Sequence, residues 1–296
     1  MYYFFSLLTG VVIALMVLCN GDLTNAYGVY PATVLIHIVG IIFAWICLRI
    51  LKQPAFPKKK LPFWMYLGGV IGVITTVFNN LAFGKISLTA ILALSLLAQT
   101  LLSVIIDGLG LFEMQKRRIS SATLIGFVFC LAGILWMLYG ATVEAALALI
   151  LSFCTGISVV ISRMINASLA GQTSAVAGSF LNHLAGLLPA TIVMFLFGRD
   201  ELSAIGSFQV PWWAYLGGVL GVVVVLLYNI TVPKVSAFQL TLLSFVGQVF
   251  AGIILDLIMK NTLSSQTFIG GLLVALGIGL NIIIEQLFQK RKQCNA

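Results

Sequence analysis

The stretch Pro62–Val73, PFWMYLGGVIGV, returns at Pro211–Val222 as PWWAYLGGVLGV, identical at nine of twelve positions. A match of this quality inside one chain marks an internal duplication, and repeats are weighed before single motifs. At the same offset of 149, Asn80 falls on Asn229, Lys85 on Lys234, Ser87 on Ser236, Gln99 on Gln248 and Asp107 on Asp256. At an offset of 146, Gly10 meets Gly156, Asn20 meets Asn166, His37 meets His183 and Gly40 meets Gly186. The chain therefore reads as two related halves, 1–140 and 143–296.

Both halves are built for lipid. The chain is 61% hydrophobic and 8% charged, with a mean hydropathy of +1.13, far from soluble composition. A span needs about 20 mostly apolar residues. Cutting at charges and at Pro, Gly and Asn breaks predicts ten, near 3–21, 30–51, 62–82, 87–109, 121–140, 143–168, 174–197, 211–231, 236–259 and 266–288. Runs this long predict helices and not the short alternating strands of a barrel. MYYFFSLLTG has no basic region and no small-residue cleavage site, and is read as the first span, not a removable signal.

The net charge of +8 raises nucleic acid as a partner, but the placement of the charges argues against it. Counted over alternate loops, one side holds Arg49, Lys52, Lys58 to Lys60, Lys116 to Arg118, Lys234 and Lys290 to Lys292, twelve in all. The other holds Lys85, Arg199 and Lys260, and Arg163 lies within a span. By the positive-inside rule, both termini are expected in the cytoplasm. The five cysteines (Cys19, Cys47, Cys130, Cys154, Cys294) have no metal or redox spacing and are read as small apolar residues.

Five spans per half is an odd number, so the second half must enter the membrane from the opposite face. The expected fold is an all-α integral membrane protein with ten helices in two inverted five-helix repeats, an arrangement many secondary transporters use for alternating access. The recurring pattern G-x9-N, H-x2-G, P-x-W-x-Y-x-G-G and Q-x7-D resembles the YdcZ-like family of the drug/metabolite transporter superfamily, here with two copies fused. The resemblance implies a ten-helix secondary transporter in a bacterial cytoplasmic (inner) membrane. It implies little about the substrate, since the superfamily moves amino acids, sugars, nucleotides and cationic drugs.

Ionisable groups deep in a membrane are costly and are functional candidates. Asp107 lies 19 residues along its span from Leu88, roughly 28 Å at 1.5 Å per residue, which puts it near the cytoplasmic surface. Asp256 falls near the outer one by the same counting. An acid at a helix C-terminus meets the unfavourable end of the dipole, so cationic partners are expected: Lys260 for Asp256, and Lys116 to Arg118 for Asp107. A structural or gate-latching role for the two acids comes first and proton coupling second.

His37 and His183 lie deeper, about 12 Å in by the same rise per residue. Each is open to two readings, a proton or substrate site or a neutral imidazole bonded across a helix interface. Asn182, beside His183, has only Ile36 opposite it. Gln99 and Gln248 are central in their spans and must face protein or a wet cavity, in substrate contact or in an inter-helix hydrogen bond. Asn20, Asn80, Asn166 and Asn229 fall near span ends, where capping or turn service is the first reading and a place in the substrate cavity the second. Trp64 and Trp213 suit the membrane interface, with a cavity wall as the second reading. Arg163 has Val17 opposite it and lies about a turn from the cytoplasmic end of its span. It is expected to snorkel there; otherwise it is an anion or carboxylate anchor. Gly68 with Gly72, and Gly217 with Gly221, form small-xxx-small faces for close packing.

A phosphate-binding loop, a zincin helix, a nucleophile elbow and paired cysteine ligands are all missing. The expectation is thus a transporter and not an enzyme, without metal or cofactor; that it exports a small metabolite or drug-like molecule, with proton coupling as an option, is what the family resemblance implies. Its partners are the small-molecule substrate and the lipid bilayer, as a monomer or homodimer. The preferred cavity lining is His37, His183, Gln99 and Gln248, with Asp107, Asp256 and Arg163 as coupling or gate residues. A lipid-linked-sugar flippase is the alternative, and a membrane enzyme or receptor the second. Reporter fusions to the two ends of the chain should both report the cytoplasmic face; ends on opposite faces would break the inverted reading.

Overall fold

A computed structural model describes residues 1–86, 88–113, 121–139, 143–201 and 210–258, with eight further positions between 269 and 284. Among the described residues the regular structure is helical. The helices are α1 (Tyr2–Tyr27), α2 (Val29–Ile50), α3 (Leu67–Ala82), α4 (Leu88–Leu109), α5 (Ser121–Leu138), α6 (Val143–Gln172), α7 (Ala175–Phe197), α8 (Leu216–Thr231) and α9 (Ala237–Ile258). Among the described residues eight helical segments are long and apolar enough to cross a membrane, α3 and α8 together with the turns that lead into them (Phe63–Ala82 and Trp212–Thr231), and α5 carries a shorter apolar stretch, Leu124–Gly133. The expected tenth span, 266–288, lies largely outside the described residues. This is an all-α membrane protein.

The repeated Pro-x-Trp-x-Tyr motif has a local explanation. Pro62 and Pro211 hold extended backbone with φ near the ring's fixed value, −57° and −62°. Each carbonyl then accepts a turn-closing bond, from Met65 N at 3.1 Å and from Ala214 N at 3.0 Å. A one-turn 3-10 segment, Phe63–Tyr66 or Trp212–Tyr215, leads directly into α3 or α8. At the opposite extreme, α1 and α2 are separated by Gly28 alone, at φ +88°, a left-handed conformation that a side chain would strain.

Two helix starts are fixed with help from distant segments. Tyr30 N at the head of α2 donates to Glu201 Oε2 at 3.1 Å. Ser174 caps α7 by accepting from Ala177 N at 3.1 Å, while its hydroxyl donates to Gln53 Oε1 at 2.8 Å.

Long-range packing runs between the halves. α1 lies on α9 and α8, α6 on α4 and α3, α2 on α7 and α8, and α4 on α9. In lipid the hydrophobic effect does not drive helices together, so close van der Waals approach and inter-helix hydrogen bonds must do so. Gly10 of α1 rests on the Ser244 carbonyl of α9, and Gly156 of α6 on the Ser95 carbonyl of α4; a Cβ at either would collide with that backbone. Ser244 Oγ adds a bond to Ser6 O at 3.0 Å. Large apolar side chains face outward, as on α2 (Ile42, Trp45, Ile46) and α7 (Leu188, Ile192, Phe195).

Gly10→Val and Gly156→Val should each destabilise the protein by about 1–3 kcal/mol or more, the range for overpacking a tight contact. Gly171→Ala, where nothing lies within 4 Å of an added Cβ, serves as the neutral control. Thermal melting in detergent separates the three, and a Gly10→Val protein that melts with Gly171→Ala would refute the close-contact account.

Candidate functional site

A cavity of about 930 Å³, its open mouth included, lies among α1, α2, α3, α4, α6, α7, α8 and α9. Its wall is part apolar (Ile13, Met16, Val17, Leu92, Val159, Val224) and part polar (Asn20, His37, Gln99, Arg163, Asn166, Asn182, His183, Gln248). No Asp or Glu is among its described lining residues. Apolar walls with a few fixed polar groups are the usual make-up of small-molecule sites.

His37 and His183 meet here, with ring centroids 5.8 Å apart. Each ring sits where the other's helix carries a glycine, His37 against Gly186 and His183 against Gly40. His37 Nδ1 lies 2.8 Å from Thr33 O and His183 Nδ1 3.0 Å from Ser179 O. A carbonyl only accepts, so each Nδ1 carries hydrogen and donates. That assigns the Nδ1–H tautomer to a neutral ring and leaves each Nε2 as an acceptor. The bond is within each residue's own helix, so it orients the ring without tying the helices together.

Asn20 and Asn166 were expected near span ends, but α1 continues to Tyr27 and α6 to Gln172, which puts both inside helices and on the cavity wall. Asn166 Nδ2 donates to Asn182 Oδ1 at 2.8 Å and to Ser162 Oγ at 3.2 Å. Asn166 packs on Gly68, as Asn20 does on Gly217.

Arg163 does not snorkel. Because α6 extends nine residues past it to Gln172, roughly 13 Å of helix, the guanidinium turns inward and is 2% exposed. Its Nη2 donates to Thr241 Oγ1 at 2.6 Å, Ser103 Oγ at 2.9 Å and Ala237 O at 3.3 Å, and its Nη1 to Gln99 Oε1 at 3.4 Å. The group bridges α4, α6 and α9, and lies 5.5 Å from the centre of the Tyr228 ring, within cation–π range.

Asp107 lies in the same network, buried and outside the cavity lining. Its Oδ1 accepts from Ala237 N at 3.3 Å and its Oδ2 from Phe238 N at 2.9 Å. The acid at the end of α4 thus caps the start of α9, whose unpaired N–H groups and positive dipole end favour a carboxylate. Arg163 is within its electrostatic reach. The partners expected from sequence, Lys116 to Arg118, lie outside the described residues, as do Lys260 and the side chain of Asp256.

The remaining candidates sit away from the cavity. Asn80 Nδ2 donates to Thr33 Oγ1 at 3.4 Å and Asn229 Nδ2 to Ala175 O at 2.9 Å, tying α3 to α2 and α8 to α7. Trp64 and Trp213 are 45% and 47% exposed, in keeping with interface anchors. Sequence reading passed over Thr75, Asn79, Ser95, Thr155 and Tyr228, all of which line the cavity. One signal for α3 and α8 was available: Gly72, Thr75, Thr76 and Asn79 form a helical stripe that recurs at offset 149 as Gly221, Val224, Val225 and Tyr228.

Residues 1–136 and again 147–280 match the family described as "Putative inner membrane exporter, YdcZ". The chain belongs to this family. As a YdcZ-family protein it is a multi-pass inner-membrane protein of the transporter class. A solved structure titled "Crystal structure of protein" is similar over 97% of this chain and 97% of its own, with a TM-score of 0.64 at 16% identity. At that identity the likeness speaks for the fold alone. No curated protein matches the chain.

In this YdcZ-family protein, Asp107→Asn should retain one acceptor for two N–H donors and cost about 1–3 kcal/mol, with Asp107→Ala costing more. Thermal melting in detergent checks the order; two variants melting like the parent would remove Asp107 from any capping role.

Proposed function

We propose that the chain is a secondary transporter with ten helices in two inverted halves, 1–140 and 143–296, that exports a small metabolite or drug-like molecule by alternating access. The observation that carries this is the cavity itself: its walls come from both halves, and contacts across it are exchanged. His37 on Gly186 is answered by His183 on Gly40, Asn20 on Gly217 by Asn166 on Gly68, and Gly10 on the Ser244 carbonyl by Gly156 on the Ser95 carbonyl. Each pair links positions related by the sequence offsets. A pseudo-two-fold axis in the membrane plane produces this pattern, and it allows the same rocking motion to open the site to either face.

In this reading His37 and His183 lie on the axis and present free Nε2 atoms to the cargo or to a proton. The Nδ1 bonds to the carbonyls one turn back persist when Nε2 is protonated, so a ring can gain and lose a proton without reorienting. Gln99, Gln248, Asn20 and Asn166 line the path, and Arg163 with Asp107 holds α4, α6 and α9 together on one side of it. Both termini are cytoplasmic. The outward apolar face of α5, with Leu124, Val128 and Leu135 exposed, meets lipid or a second copy.

Uptake into proteoliposomes across a panel of metabolites, with and without an imposed pH gradient, tests the reading. Flux accelerated by the gradient in the parent protein, and indifferent to it in His37→Ala/His183→Ala, is the expected result. Flux equally fast with and without the gradient in both proteins leaves a facilitator and removes proton coupling. The absence of flux for every compound would remove transport.

A further inference from the structure

We propose that the cavity is selective for an organic anion, a small carboxylate with an apolar body, and that Arg163 is the side chain that receives the carboxylate. This rests on the proposed function only in taking the cavity as the substrate site.

The first ground is fixed charge. Arg163 is on the cavity wall, and no described lining residue is acidic. A guanidinium stays protonated at any physiological pH. In a low-dielectric wall it repels a cationic cargo and attracts an anionic one far more strongly than it would in water. Asp107 is near enough to offset part of that charge and to make the buried arginine tolerable. Its oxygens, however, are engaged by Ala237 N and Phe238 N, and the α9 N-terminus shares its charge.

The second ground is unused hydrogen-bonding capacity. Of Arg163's donors, Nη2 is fully engaged and Nη1 makes one long bond at 3.4 Å, while Nε, buried, has no partner. Among the described residues eight buried side-chain polar atoms lack a partner, and all but the one on Asn229 belong to residues lining this cavity. Native interiors leave few such atoms, so their clustering marks a wet or ligand-binding place, where water or a bound molecule completes the bonding. Gln248 Nε2 is a second unpartnered donor. The Tyr228 hydroxyl leans toward Arg163 and Ser244 without reaching hydrogen-bond geometry. Planar N–H groups of a guanidinium match a carboxylate in geometry as well as charge.

The remaining wall sets the rest of the molecule. Val17, which stands where the other half has Arg163, joins Ile13, Val159 and Val224 in an apolar surface, suited to a hydrocarbon or aromatic body. No second Lys or Arg lines the cavity among the described residues, which favours a singly charged carboxylate over a doubly charged phosphate.

The test uses ligands of one skeleton: 3-phenylpropionate, its amide and 3-phenylpropylamine, with inorganic phosphate as a fourth probe. Binding is read as ligand-dependent thermal stabilisation of the purified full chain in nanodiscs, and flux as uptake into proteoliposomes. The carboxylate should stabilise the parent protein, with affinity on the order of ten-fold or more above the amide, as expected for one charge-assisted pair, and the amine should not bind. Arg163→Gln should erase the difference between carboxylate and amide. If that variant fails to fold, the ranking on the parent protein decides alone.

Amine or amide binding as tight as the carboxylate, phosphate binding tighter than all three, or no stabilisation by the carboxylate would each overturn the assignment. Carboxylate binding without flux overturns the transporter reading and leaves the site. Flux of a neutral or cationic compound without carboxylate binding does the reverse.

Discussion

The architecture depends on backbones touching. Where Gly10 meets the Ser244 carbonyl and Gly156 the Ser95 carbonyl, α1 lies against α9 and α6 against α4 with backbone on backbone. Lipid tails are as apolar as leucine, so only close contact and inter-helix polar bonds favour association over dispersal in the bilayer. These two crossings join the halves, and the cavity is the space left between the helices they hold. The same device recurs around the site, where His37, His183, Asn20 and Asn166 each occupy room that a glycine leaves free on a facing helix.

Against that regular background the Arg163 network is one-sided. Arginine stands opposite Val17, and its bonds to Gln99, Ser103, Ala237 and Thr241 join three helices at one end of the cavity. Removing a buried charge's partners costs more than most single contacts supply. The Asp107 cap on α9 reinforces the same place.

The sequence made the helices legible, and most of the polar candidates, because lipid imposes a simple rule. A spanning segment needs an uninterrupted apolar run, and any polar residue retained within one stands out. Gln99, Gln248, His37 and His183 were visible for that reason. Tyr228, Thr75 and Thr155 were not, since a tyrosine or a threonine in a membrane helix can bond its own backbone or face an interface, and composition does not distinguish these. Arg163 was misjudged by its depth: counting from a span end placed four residues too early at 168 brought the side chain within reach of the surface, whereas the helix runs to Gln172.

Sequence alone determined that this is a helical membrane protein, that its two halves are related, and that a proline-led motif opens the third span of each. These follow from hydropathy and self-similarity, both legible along the chain. Tertiary structure decided what each polar group is for. That Asp107 meets the N–H groups at the start of α9, and that Arg163 turns to the cavity and not to the surface, depend on which helix lies alongside. That is set by the sum of many close contacts between segments more than a hundred residues apart, and no window of the chain contains it.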